Sequence, residues 1–425
     1  MNTAFQKIKM MFADRSLRRR IIFTVVALAI FRMLAAVPVP GINAIQLQNL
    51  LSQNQLLSLF NVFSGGGLSH LSIVMLGVGP YITGSIIMQL LTILSPRLKA
   101  LYQEEGEAGR KRFSQYSRLL TIPLAAVQGF SFLLLLEQQG VLDRLGMGPM
   151  LVNLAVIIAG SVLLMWIGEL VTEFGVGNGL SLIIFAGIVA SVPSIAGQLF
   201  TQFQTDPSLA STFIAFAVAA VIVIYGVVVV TEAERPIPVT YAKRVRGMKV
   251  YGGTSTYLPL RVNQAGVIPI IFALSLLLFP QMIFSTLSKV SNTLIASYSG
   301  VLLALFNNPW FYASVYFILV FGFTYFYTAV TFDPHTLSTN LQKNGAFIPG
   351  VRPGQPTSEY ISTVLTRITL VGAIFLGLIA VLPMLGKAIS GNATFAIGGT
   401  ALLIVVSVVL DMTKKVDAQI SMREY

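Results

Sequence analysis

Cysteine is absent from this 425-residue chain, which removes thiol catalysis, disulfides and cysteine-ligated metals in one step. Histidine is nearly absent: His70 and His335 stand far apart and are too few for a histidine metal site. Charge is scarce too, at 10% Asp, Glu, Lys and Arg, against roughly 25% in a soluble domain. With 55% hydrophobic residues, a soluble fold of this composition would expose wide apolar patches. Lipid removes that difficulty, and a polytopic membrane protein is the class that follows. The few charges are unbalanced, with a formal net of +12. On a soluble protein that would suggest nucleic-acid binding. In a membrane protein, basic residues instead collect in cytoplasmic loops and fix orientation.

What the chain does have is long apolar sequence. A crossing needs about 20 such residues, and ten runs are read as spans: 21–37, 73–94, 119–136, 151–170, 180–199, 212–230, 265–284, 311–330, 361–382 and 395–410. Lipid cannot solvate peptide groups, so each run is expected as a helix. Pro38-Val39-Pro40-Gly41 follows the first run where a small-residue cleavage site would otherwise stand, so that run reads as a span and not a signal peptide. The expected fold is therefore all-α, with ten transmembrane helices.

Loop charge sets the orientation. A cytoplasmic N-terminus puts Arg15, Arg18, Arg19, Arg20, Arg97, Lys99, Arg110, Lys111, Arg112, Arg235, Lys243, Arg261, Lys414 and Lys415 on one face. The other face keeps only Arg144, Lys289 and Lys387. Both termini are thus expected inside. Two cytoplasmic loops, 232–264 and 331–360, are long and rich in Pro and Gly, and loops of that length are usually functional. The chain divides into a cytoplasmic segment 1–20, helices one to five over 21–199, helices six to ten over 200–410, and a cytoplasmic tail 411–425. Such a halving is what an inverted repeat of five plus five requires.

An enzyme or ion-coupled transporter would place ionisable groups within its spans. Arg32 lies in the first run and reads as snorkelling or pairing within the bundle. Arg367 sits near the start of the ninth, and Glu137 and Glu169 lie at helix ends. A proton or sodium relay therefore has little support. Ser64-Gly65-Gly66-Gly67-Leu68 lacks the Gly-Lys-Ser/Thr ending of a P-loop, and Gly175-Val176-Gly177-Asn178-Gly179 follows a membrane helix and not a strand. Both read as turns or close-packing sites. The moderately apolar stretch 56–71 fits either a short helix dipping into a cavity or one lying on the outer leaflet.

Several ordered strings are more specific. They are Leu76-Gly77-Val78-Gly79-Pro80-Tyr81-Ile82 followed by Ser85-Ile86-Ile87-Met88-Gln89-Leu90-Leu91, and Gly177-Asn178-Gly179 with Ile183-Ile184-Phe185-Ala186-Gly187-Ile188. Asn263-Gln264-Ala265-Gly266-Val267-Ile268-Pro269, Pro349-Gly350-Val351-Arg352-Pro353-Gly354 and Gly398-Gly399-Thr400-Ala401-Leu402 continue the series. In this order they resemble the second, fifth and seventh spans, the loop before the ninth, and the tenth span of the SecY family. That family forms the protein-conducting channel of the bacterial Sec translocon.

The resemblance implies an hourglass pore for unfolded polypeptide, in two pseudo-symmetric halves of five helices with a re-entrant plug. By motif position the pore ring is Ile82, Ile86, Ile184, Ile188, Ile271 and Ile404. Ile82/Ile86 and Ile184/Ile188 are four apart, so each pair shares a helix face. The plug is Phe60-Asn61-Val62-Phe63-Ser64-Gly65-Gly66-Gly67-Leu68-Ser69-His70-Leu71-Ser72, with His70 where relatives often carry Arg. A lateral gate would run between spans two and three and spans seven and eight, with Gln89, Thr92 and Ser275 as modest polar ties. Arg352, flanked by Pro and Gly, would present its guanidinium to the ribosome or the motor ATPase SecA. Arg244, Arg246 and Lys249 serve either as steering charges there or as topology and lipid-headgroup contacts.

The further implied partners are SecE and SecG, a signal peptide and membrane lipids, in a bacterial cell membrane. The expected activity is passive: no enzyme and no cofactor, with energy supplied by a partner. A secondary transporter of a small solute is the alternative, and it would carry a mid-membrane acidic residue or a broken-helix ion site. An intramembrane enzyme would need a Ser/His pair or paired carboxylates at depth.

Overall fold

The computed structural model describes residues 14–39, 61, 64, 66–68, 71–138, 140–142, 146–205, 210–241, 244–246, 249–251, 255–288, 293–390 and 398–421. Its first seven helices are α1 (Arg15–Ala35), α2 (Gly79–Leu94), α3 (Pro96–Gln103), α4 (Gly106–Gln138), α5 (Met147–Phe174), α6 (Gly179–Thr205) and α7 (Ala210–Glu232). Strands β1 (Glu234–Tyr241), β2 (Arg244–Arg246), β3 (Lys249–Tyr251) and β4 (Ser255–Arg261) follow. Then come α8 (Ile268–Leu287), α9 (Thr293–Asn307), α10 (Pro309–Thr331), α11 (Pro334–Lys343), β5 (Ala346–Phe347), α12 (Gln355–Ser390) and α13 (Gly398–Ser421). Each apolar run overlaps one of these helices, and α4, α5, α10 and α12 are long and apolar enough to cross a membrane by length and composition alone.

The helix starts are written in the sequence. Asp14, Asn308 and Asp333 each accept a hydrogen bond from the backbone N–H two residues on, and Pro309 and Pro334 follow the latter two as first helical residues. Asn178 Oδ1 does the same for α6, accepting from Leu180 N and Ser181 N at 3.1 and 3.3 Å.

The second run departs from expectation. Its helix begins at Gly79, and residues 73–78 form turns. Gly77 at φ 60° and Pro80 near the helix start set that boundary. Irregular backbone at membrane depth is tolerated only inside protein, and Val74, Met75, Leu76 and Val78 are all buried. The α5 helix makes room for this stretch. A Cβ on Gly160 would collide with the Ile73 carbonyl oxygen, while Ser161 Oγ donates to the Gly77 carbonyl at 3.0 Å.

The two long loops contain regular structure that their Pro and Gly content had hidden. Strands β4, β1 and β5 form one antiparallel sheet, with Ile237 opposite Leu258 and Thr240 opposite Phe347. Pro236 and Pro238 share a parity, so their missing donors fall on one edge of β1. Strand β5 covers that edge only at Thr240 and Tyr241, which leaves no ladder bond for the prolines to break. Ile237, Val239, Leu260, Ala346, Ile348, Ile361 and Val364 form the core of this platform, which thus joins both loops to the start of α12.

Candidate functional site

Five isoleucines of the expected ring are members of the large apolar core of the bundle, and the sixth packs against it. Ile86 on α2, Ile184 and Ile188 on α6, Ile271 on α8 and Ile404 on α13 are buried in it, and Ile82 packs partly buried against it. Four helices from distant parts of the chain thus contribute isoleucines to one extended apolar core, which also holds aromatic residues such as Phe31, Tyr316 and Phe323.

The neighbouring helices hold the cluster by tight crossings. A Cβ on Gly179 would collide with the Gly168 carbonyl oxygen, so α5 and α6 meet backbone to backbone. The turn between them has Gly177 at φ 94° and is pinned by Thr24 Oγ1, which accepts from Val176 N at 3.2 Å. The glycine string there is a turn and a packing site together.

At the expected gate, α8 lies against α2 and α4 on one side and α10 on the other. Gln89 Nε2 donates to Ser85 Oγ at 3.4 Å, and Thr92 Oγ1 donates to the Gln89 carbonyl at 2.6 Å, so both bond within α2. Ser275 is half-buried on α8. Other cross-helix contacts made by α2, α4 and α8 are ones sequence reasoning did not single out. Phe272 of α8 meets Phe323 and Tyr327 of α10 edge to face at 5.9 and 6.2 Å. Gln128 of α4 donates to Thr83 of α2 at 3.5 Å. Arg118 of α4 and Glu169 of α5 form an ion pair at 2.6 Å, which puts Glu169 to a structural use that its place near a helix end did not announce.

Of the expected plug, Asn61, Ser64, Gly66, Gly67, Leu68, Leu71 and Ser72 are described, whereas Phe60, Val62, Phe63, Gly65, Ser69 and His70 lie outside the described residues. Leu68 and Leu71 are buried against Ala125, Phe132 and Leu133 of α4. Val39 N donates to the Leu71 carbonyl at 2.8 Å and Ile73 N to the Val37 carbonyl at 3.0 Å, so the end of α1 clamps the segment. Ser64 packs under Gly77, where a Cβ would come within 2.6 Å of the Ser64 Cα. Arg32 lies in the last turn of α1, and a Cβ on Gly66 would stand 3.5 Å from its guanidinium.

Arg352 is exposed on a turn bounded by Gly350 at φ 82° and Gly354 at φ 97°. Thr357 Oγ1 donates to the Arg352 carbonyl at 2.8 Å and Ser338 Oγ to the Gly354 carbonyl at 2.6 Å. The backbone is held on both sides while the guanidinium projects. Arg244 and Arg246 fall on β2 and Lys249 on β3, which pair antiparallel with Arg246 opposite Lys249.

A bundle of apolar helices around one extended apolar core, joined to a small antiparallel sheet, defines a polytopic membrane protein of the protein-conducting-channel fold. A solved structure described as a protein conducting channel matches with a TM-score of 0.69 at 19% identity, covering 95% of this chain and 93% of that one. Sec61 in a canine ribosome-channel complex matches at 0.64 and 19%, over 95% and 93%. The SecY family model matches residues 72–413. The protein translocase subunit SecY of Mycobacterium bovis is 44% identical over 430 residues, covering 96% of each chain. That of Thermotoga maritima is 42% identical over 435 residues, covering 99% of this chain and 97% of its own. The chain belongs to the SecY family.

Proposed function

We propose that this chain is the central pore subunit of a Sec translocon. It passes unfolded secretory polypeptides across the bacterial cell membrane and releases signal or transmembrane segments sideways into lipid. The observation that carries this reading is that Ile86, Ile184, Ile188, Ile271 and Ile404, from four separate helices, are all buried in one apolar core, with Ile82 packed against it. A hydrophobic constriction excludes ions by dewetting and offers them no binding site. The same surface recognises no particular side chain, as a pore for many sequences requires.

The remaining roles follow the same frame. Ten helices cross in two halves of five, with both termini in the cytoplasm. Residues 60–72 plug the outer funnel. The seam between α2/α4 and α8/α10 is the lateral gate; Gln89 and Thr92 bond within α2 and do not tie it, which leaves it open to competition from an apolar signal helix. The platform with Arg352, together with the β2–β3 strands, docks SecA or the ribosome, while SecE and SecG complete the complex. The relatives named above are translocase subunits, and no observation favours the small-solute transporter.

Photo-crosslinking tests the reading. A stalled secretory chain in proteoliposomes containing SecE, SecG and SecA is expected to react with probes at Ile86, Ile188 and Ile404 during ATP-dependent transport. Silence at all three positions, with transport proceeding, would overturn the pore assignment.

A further inference from the structure

A cavity of about 250 Å³ lies between the start of α6, the end of α7, the connection into α8 and the middle turns of α13. Three residues of its wall, Thr231, Asn263 and Ser407, each carry a buried polar atom (Oγ1, Oδ1 and Oγ) that has no hydrogen-bond partner among the described residues. Asn263 is 6% exposed and Ser407 9%. A buried polar atom without a partner is costly, so a group of three beside a cavity marks a place where a partner arrives.

The charges around the cavity are already matched. Arg261 pairs with Glu234 at 3.3 Å, Lys414 with Glu232 at 2.8 Å and Lys415 with Asp411 at 2.8 Å. The unspent chemistry is therefore neutral: one carbonyl acceptor and two hydroxyls, each able to donate or accept. An anion would find its cations engaged, whereas an amide, with one donor and one acceptor, matches the set.

Position identifies which amide. Ser181 precedes Ile184 by three residues, Ile268 precedes Ile271 by three, and Ser407 follows Ile404 by three. The cavity thus lies about one helical turn from the isoleucine cluster along three of its helices. We propose that Asn263, Ser407 and Thr231 bind the backbone amides of the polypeptide just before it enters the isoleucine waist. This rests on the channel reading above and deepens it. A chain leaving water for a dry constriction gives up the hydrogen bonds of its amides. The backbone amide is also the one group that secretory chains of every sequence share. A few neutral bonds hold it loosely enough for the chain to advance.

The absence of cysteine from the chain makes the test direct. Val408→Cys reports from the cavity wall and Ile404→Cys from the waist, each against a stalled translocating polypeptide carrying one cysteine, in proteoliposomes with the partner subunits. Both are expected to crosslink. Asn263→Leu combined with Ser407→Ala should cut the Val408→Cys product about five- to tenfold and spare the Ile404→Cys product. Asn263→Gln, which keeps the amide, should retain both products. A polypeptide N-methylated over the stretch at the cavity should lose the Val408→Cys product in the otherwise unaltered protein. Persistence of that product through both changes means passage without amide binding and overturns the proposal. Reaction at Ile404→Cys with silence at Val408→Cys overturns it too, with the channel intact. Silence at both positions overturns the channel reading itself.

Discussion

At the scale of single residues, the smallest side chains set the closest approaches. Gly179 lies where any Cβ meets the Gly168 carbonyl, whereas Gly322 on α10 has open space around its hydrogens. Gly179→Ala is expected to destabilise the bundle by about 1–3 kcal/mol through overpacking. Gly322→Ala should be neutral or stabilising by up to about 1 kcal/mol through helix propensity. Thermal melting in detergent, followed by size exclusion, separates the two; equal melting points would show that the α5–α6 crossing is not tight. Asp333 gives a second prediction, away from the membrane. Burial pushes its carboxyl up, but bonds donated by Thr336 Oγ1 and by the backbone N–H groups of His335 and Thr336, with the His335 charge, outweigh burial and hold it below the usual carboxylate range. A group depressed in the folded state stabilises fully above its unfolded pKa and loses that contribution as pH falls through the folded one. Protection of the α11 amides, corrected for intrinsic exchange, should therefore fall on acidification below about pH 4. Asp333→Ala should remove about 1 kcal/mol of it at neutral pH, and Asp333→Asn should keep most of the cap without the acid response.

At the scale of elements, the platform is a unit because two loops share one core. Leu260 is fully buried among Ile237, Val239 and Ile348, so Leu260→Ala should cost about 2–5 kcal/mol locally. Hydrogen exchange should quicken together over 234–261 and 346–360, including the turn that carries Arg352, while α4 and α5 stay unchanged. Loosening of only one loop would show that the sheet does not couple them. This platform is also where the sequence was least legible. The helices could be read because lipid demands about 20 apolar residues in a row, a signal that survives any tertiary arrangement. The strands were hidden because prolines 236, 238 and 259 punctuate them, and because β5 is two residues long and gains its partner from a segment a hundred residues away. The start of α2 was missed for a related reason: residues 73–78 are as apolar as a helix, but they are buried in protein and need no helical bonding to survive at depth. The isoleucine positions came from motif order, since isoleucines four apart occur in any membrane helix. The Phe272 contacts, the Arg118–Glu169 pair and the unpartnered Asn263 and Ser407 depend on distances that no spacing encodes.

At the scale of the molecule, holding the fold together and sealing the membrane are separable demands on one apolar cluster. Ile404 and Leu376 are both fully buried in it, on α13 and α12 respectively, but only Ile404 belongs to the proposed ring. A polar side chain at either place should lower stability, because a buried amide without partners costs free energy wherever it sits. Only at the ring should it also hydrate the constriction, since dewetting depends on the side chains that face the pore axis. Ile404→Asn is therefore expected to raise ion leakage through the resting complex in proteoliposomes by about tenfold or more, equivalent to lowering the barrier by about 1.4 kcal/mol. Leu376→Asn should weaken the fold without that leak, and Ile404→Leu, which keeps volume and apolarity, should leave both nearly unchanged. Equal leakage from the Ile404→Asn and Leu376→Asn variants would trace the leak to general loosening of the bundle. A tight membrane with Ile404→Asn, in a complex that still folds, would place the seal elsewhere and leave the cluster an ordinary core. The contrast between two equally buried positions thus isolates the pore from the packing, which neither burial nor sequence spacing does alone.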